Sequence, residues 1–186
     1  FSTLKNNGTL DFYKQKIMQK WSIKDYNYVD YPSDKLFFES FMKFEPAIQG
    51  NFGQGLLELK KRAISENVSY IETQLSTIPT DMNTDDLAKF NIRLRKLAFE
   101  KDEKAVLQSL DSVYNSLLKK QAKTYAKEFN TNFVAKLHKD FKIDDAQVTI
   151  RYQNFVLRFM EPVDLFKNLV ITFISADESP LMAGVN

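Results

Sequence analysis

Thr84 to Phe141 reads TDDLAKFNIRLRKLAFEKDEKAVLQSLDSVYNSLLKKQAKTYAKEFNTNFVAKLHKDF, without a single Gly or Pro. Apolar residues recur in steps of three and four: Leu87, Phe90, Leu94 and Leu97, then Val106, Leu110, Val113 and Leu117. Leu118, Ala122, Tyr125 and Phe129 repeat the steps on a seam displaced by one residue. Residues three and four apart share a helix face, so each set makes one stripe. The stretch is therefore read as one or two long amphipathic helices that supply most of the core. Thr84 is a candidate cap, with Asp85 and Asp86 in the first turn, where the helix dipole favours negative charge. Glu100 to Lys104 carries no apolar residue and is either an exposed turn or a corner between helices. Asn130-Thr131-Asn132 is read as a break before a last short face of Phe133, Val134, Leu137 and Phe141. A coiled coil would need the heptad held in phase, and here the phase slips.

Upstream, Asn7-Gly8-Thr9 is a turn before a short helical face of Leu10, Tyr13, Ile17 and Trp21. Asp25 to Pro32 is an extended connection holding Tyr26, Tyr28 and Tyr31. Clustered tyrosines are either amphipathic cover over a core or a partner-contact surface, and with Phe52 they are the candidate partner contacts. Ser33-Asp34 opens a helix with a Phe-rich face, which Glu45-Pro46 ends or restarts. Gly50 to Gly55 precedes the next helix. It lacks the spacing and the Lys-Ser/Thr pair of a phosphate loop, so it is read as a connector. Leu57, Ile64, Val68, Ile71 and Leu75 then predict a helix of about twenty residues. With the Pro79 loop and the central stretch it would form an antiparallel helical hairpin.

After Lys142 the period changes to two. Val148, Ile150 and Tyr152 alternate with polar residues, and Phe155, Leu157 and Phe159 continue in the opposite phase. Leu169 to Ile174 is nearly continuous apolar and reads as a buried strand. The expected fold class is α+β: a helix-rich bundle of about five to six helices over residues 9–142, then a small C-terminal antiparallel sheet of two to three strands over 146–175. Residues 176–186 are a tail. With 186 residues the chain fits one domain.

Composition removes several chemistries. Cys is absent, which excludes disulfides, thiolate metal sites and thiol nucleophiles. His138 is the only histidine, no nucleophile elbow is present, Asp144-Asp145 reads as a turn, and other adjacent acids on a helix point about 100° apart. No catalytic residue, metal ligand or cofactor is assigned. The net charge of +2 gives no global pull toward nucleic acid, and no apolar run is long enough to span a membrane. Asn67-Val68-Ser69 and Asn7-Gly8-Thr9 match the glycosylation acceptor pattern, which matters only in a chain secreted by a eukaryote. The local exception in charge is a lysine run. Lys119, Lys120, Lys123 and Lys127 are candidate contacts to an anionic surface, including peripheral membrane contact; a solvated helix face is the plainer reading. The chain begins with Phe, so a processed or truncated start is expected, with a mitochondrial or bacterial periplasmic setting.

These features favour a non-enzymatic structural or adaptor subunit that binds other protein subunits in a larger assembly. The alternative is a small-molecule or lipid carrier with an apolar pocket between helices and sheet. An enzyme using carboxylates and Tyr ranks third.

Overall fold

A computed structural model describes residues 2–27, 29, 31–48, 50–79 and 85–186. The chain divides into two compact units, Phe1–Gly55 and Leu56–Asn186. The boundary falls inside a helix.

The first unit is helical. A short helix, α1 (Ser2–Asn6), turns at Gly8 (φ +68°) into α2 (Leu10–Trp21), and α3 (Ser33–Ile48) follows. The positive φ at Gly8 is a conformation that glycine adopts without steric cost. α2 and α3 meet where the Trp21 and Phe44 rings lie 5.0 Å apart and Lys43 Nζ donates to the Lys20 carbonyl at 3.0 Å. That ammonium satisfies one of the carbonyls left open at the end of α2. Pro46 neither ends nor restarts α3, which runs through to Ile48. α4 (Phe52–Ser65) begins two residues after Gly50, whose φ is +75°.

The second unit is built on a three-stranded sheet, and it corrects the expected topology. β1 (Tyr70–Gln74), β2 (Thr149–Asn154) and β3 (Met182–Val185) lie in the order β1-β2-β3, and both pairings are parallel, not antiparallel. Parallel neighbours cannot be joined by a tight turn and need a crossover, and helices supply both crossovers here. Between β1 and β2 run α5 (Asp85–Phe99), α6 (Glu103–Val113), α7 (Lys119–Glu128) and α8 (Lys136–Asp140). Between β2 and β3 runs α9 (Pro162–Glu178).

Four further expectations change with this topology. The helix expected through Leu75 ends at Ser65; Asn67, at φ +58°, turns the chain into β1. Asn is one of the few non-glycine residues that takes this left-handed conformation readily. Residues 155–159 are irregular, with Phe159 exposed, rather than a strand. The apolar run Leu169 to Ile174 is helix, started by Pro162 in the first turn and by the Asn91 side chain, whose Oδ1 accepts from the Val163 N–H at 2.8 Å. The expected tail supplies β3.

The central stretch is helical, as its periodicity predicts. The acidic-basic segment after Phe99 is a corner: Lys101 sits at φ +57°, and Asp102 caps α6 by accepting from the Ala105 N–H at 3.0 Å. Thr84 lies outside the described residues. From Glu103 to Asp140 the helix is unbroken, but two segments of it are π-helical, Tyr114–Leu118 and Phe129–Ala135. A π turn inserts one residue. Accordingly the buried seam steps by five from Val113 to Leu118, by fours to Ala122 and Ala126, and by five again from Phe129 to Val134. The break expected at Asn130 to Asn132 is the second π segment, with Asn130 buried. The seam packs on α9, and β2 turns fully buried Ile150, Tyr152 and Asn154 into the core.

Candidate functional site

The two units differ sharply in burial. The buried hydrophobic side chains run from Leu56 to Met182, so among the described residues all lie in the second unit. Twelve of the nineteen exposed large apolar side chains lie in the first unit. Along α3, Phe37, Phe41, Phe44 and Ile48 form one stripe, 58%, 56%, 40% and 50% exposed. Three- and four-residue spacing explains the stripe; its openness is not what a folded core requires.

Two cavities adjoin between α2 and α3. One of about 300 Å³ is lined by Trp21, Ile23, Leu36 and Phe37 with three serines on its wall. The other, about 410 Å³, is lined by Lys16, Lys20, Lys24 and Lys43 together with Asp25 and Glu39. Tyr26 and Leu36 line both. Tyr26 donates to the Tyr31 carbonyl at 3.0 Å. Tyr31 donates to the Glu39 carboxylate, and this bond holds the phenol up at about 12 and the carboxyl below its usual range. Lys35 sits 5.2 Å from the centre of the Tyr31 ring. Two of the expected partner contacts, Tyr26 and Tyr31, are thus brought to one recess. Tyr28 lies outside the described residues. Phe52 is half-buried at the start of α4.

The lysine run has a simpler geometry. Lys119, Lys123 and Lys127 are exposed on α7, opposite the buried Leu118, Ala122 and Ala126. None of the three makes an ion pair among the described residues. The Lys120 side chain is outside the description.

A second polar constellation ties α8 to β2. His138 Nδ1 lies 3.0 Å from the Tyr152 hydroxyl, and its Nε2 lies 3.4 Å from Asp144. Asp144 accepts from Arg151 at 2.7 Å and from the Ile150 N–H at 2.8 Å. Next to it, Lys60 of α4 reaches Asp145 at 2.7 Å and the Lys142 carbonyl at 2.9 Å. Burial pushes His138 down from its ordinary value, against the pull of Asp144. The neutral ring then accepts from Tyr152 and points its other N–H at Asp144. Burial also pushes the Tyr152 phenol up, so it stays protonated. Tyr-His-Asp in line resembles a proton relay, but Tyr152 is fully buried and its hydroxyl cannot meet a substrate. The constellation sits beside the loop that enters β2, away from the carboxyl ends of the strands where parallel sheets usually place ligands. Its work is to hold residues 141–148 against α4, α8 and the sheet.

A third set is fully interior. Asn130 in the second π segment accepts from Ser175 Oγ at 2.7 Å and donates to the Ser175 carbonyl at 3.0 Å. Asn154 Nδ2 donates to Ser175 Oγ at 3.2 Å. These bonds lock the π segment, α9 and the end of β2 to one another. Sequence reading missed this set, because Asn130-Thr131-Asn132 among helical residues resembles a break.

Among the described residues no three His, Asp or Glu side chains gather as a metal cage. No described helix is long and apolar enough to cross a membrane. No family model, no curated protein and no solved structure matches the chain.

Proposed function

We propose that this protein is a non-enzymatic interaction subunit whose first unit docks onto a protein partner. One observation carries the reading: α2 and α3 expose their aromatic residues and bury no hydrophobic side chain among the described ones. Half-exposed Phe and Ile side chains each retain on the order of 1 kcal/mol of unspent burial. The α3 stripe alone would then yield about 4 kcal/mol, while association costs roughly 4–15 kcal/mol. The partner must therefore cover most of the dozen exposed side chains, not one stripe. A protein surface suits the α3 stripe better than a bilayer. The polar side of α3 mixes Lys35 and Lys43 with Glu39 and lacks the lysine-rich character of interfacial helices.

The experiment is isolation of the tagged chain from its native cells at low salt, with mass determined by light scattering. A defined heteromeric complex is expected. Phe41→Asp/Ile48→Asp should release the chain as a monomer with an unchanged far-ultraviolet spectrum. A parent chain that isolates as a monomer with no stoichiometric partner overturns the reading.

A further inference from the structure

The two adjoining cavities of the first unit differ in chemistry. The smaller is apolar, with Trp21, Ile23, Leu36 and Phe37 on its walls. The larger carries four lysines against two carboxylates, a local excess of positive charge. The carboxylates are engaged: Asp25 accepts from Gln19 at 2.9 Å and pairs with Lys24 at 3.7 Å, and Glu39 takes Tyr31 and Lys35. Among the described residues Lys16 and Lys20 make no ion pair within 4 Å and the Lys43 ammonium donates to the Lys20 carbonyl, while Lys20 and Lys43 act on Glu39 at longer range. A net excess of positive charge therefore stands beside an apolar slot, with Tyr26 and Leu36 as the common wall. Both volumes lie in the ~300–1,000 Å³ range of small-molecule sites, in which apolar walls supply affinity and a few polar groups fix orientation.

We infer that this recess binds a single-chain anionic amphiphile as a free monomer, its apolar chain between Trp21 and Leu36 and its carboxylate head among Lys16, Lys20 and Lys43. A recess between two helices admits one chain end, and Asp25 and Glu39 line the same cavity as the lysines. The recess shares Trp21, Ile23 and Phe37 with the docking face, but Phe41 and Ile48 line neither cavity, so Phe41→Asp/Ile48→Asp tests docking without touching the recess.

Trp21 is the only tryptophan, so its fluorescence reports on the apolar compartment directly. The full chain is titrated with decanoate, decanol and decyltrimethylammonium, each below its micelle concentration, and separately with phosphatidylglycerol vesicles. A saturable blue shift with decanoate is expected, with decanol at least about tenfold weaker and the cationic analogue without effect. Lys20→Gln/Lys43→Gln and Leu36→Ala should each weaken decanoate by about tenfold or more while far-ultraviolet circular dichroism is unchanged. Because Lys43 also closes the end of α2, Lys16→Gln serves as a second charge variant with no helix-capping contact. Equal binding of decanoate and decanol, binding undiminished in both lysine variants, or a shift with vesicles but not with monomer would each overturn the inference.

Discussion

Burial holds the His138 imidazole below its ordinary value, and Asp144 and Asp145 are both held below theirs, Asp145 at about 2 through Lys60 and two backbone N–H groups. The causes for Asp144 compete: burial raises it, while the Ile150 N–H and Arg151 lower it and prevail. The sign is the same for all three groups. A histidine lowered in the fold contributes stability that is complete above its unfolded value and is lost as the pH falls below it. Lowered carboxylates contribute above the unfolded carboxylate range and lose that contribution on further acidification. Acid should therefore act in two stages, the first below about pH 6.5 from His138 alone, the second below about pH 4 from the aspartates. The chain has one histidine, so His138→Gln isolates the first stage while keeping an acceptor for Tyr152. Urea midpoints measured near pH 7.5 and pH 5 should fall for the parent and change little for the variant. Equal falls would show that His138 is not the group that titrates. His138 was visible as a lone histidine near a helix end. Its partners were not, since Tyr152 is fourteen residues away and sequence spacing does not report contacts made by folding a loop back. The same holds for the recess: clustered Tyr26 and Tyr31 were legible, but Lys20 and Lys43 stand on separate helices and meet only when α2 packs on α3.

The element whose sequence and structure agree most closely is the helix from Glu103 to Asp140, and the agreement includes its first phase slip but not the break expected at Asn130 to Asn132. The slip of the apolar seam between Leu117 and Leu118 is what one added residue in a π turn produces. Other elements were hidden for identifiable reasons. In α9 the buried face includes Lys167, Asn168, Thr172 and Ser175, so the helical period is masked by polar residues, and the run Leu169 to Ile174 reads as a strand. In β1, Tyr-Ile-Glu-Thr-Gln offers one strongly apolar residue, while Leu57, Ile64, Val68, Ile71 and Leu75 happen to fall at helical spacing. β2 was legible because Ile150 and Tyr152 alternate cleanly. Direction was not, since the same alternation serves parallel and antiparallel strands, and the intervening helix decides between them. The π turn permits a sharp test by deletion. Removing the exposed Asn115 shortens the five-residue step from Val113 to Leu118 to an ordinary four, so every later residue keeps its face. Removing the equally exposed Gln121 from α7 instead rotates Ala122 and Ala126 off the seam by about 100°. The first deletion should cost about 1–2 kcal/mol or less by denaturant unfolding, and the second should abolish the cooperative transition. Comparable losses would mean that the π turn is not the source of the phase slip.

For the whole molecule, the burial asymmetry sets where stability resides. The second unit holds every buried hydrophobic side chain among the described residues, centred on β2, α7 and α9, and its interior is closed by the Asn130–Ser175–Asn154 hydrogen bonds. Burial of fully enclosed Val, Leu and Ile side chains is worth about 1.5–3 kcal/mol each, which is the term that opposes chain entropy. Among the described residues the first unit has no comparable set. Its aromatic contacts, such as Trp21 with Phe44 and Phe37 with Phe41, are made on an exposed surface, and its Lys14–Asp11 and Lys35–Glu39 pairs are solvated. Exposed pairs of this kind add roughly 0–1 kcal/mol. Local opening follows the density of buried apolar contacts, so amide exchange should divide at the unit boundary. Amides of α2 and α3 should exchange with opening free energies of about 0–2 kcal/mol, and those of β2, α7 and α9 near the global value. Hydrogen–deuterium exchange read by peptide mass across Gly55 measures both in one experiment. Partner binding at the α3 stripe should then slow exchange in α2 and α3 and leave β2 unchanged, because burial would be added only to the first unit. Uniform slow exchange on both sides of Gly55 in the isolated chain would show that the first unit is stabilised without a partner, and the reason for proposing one would be gone.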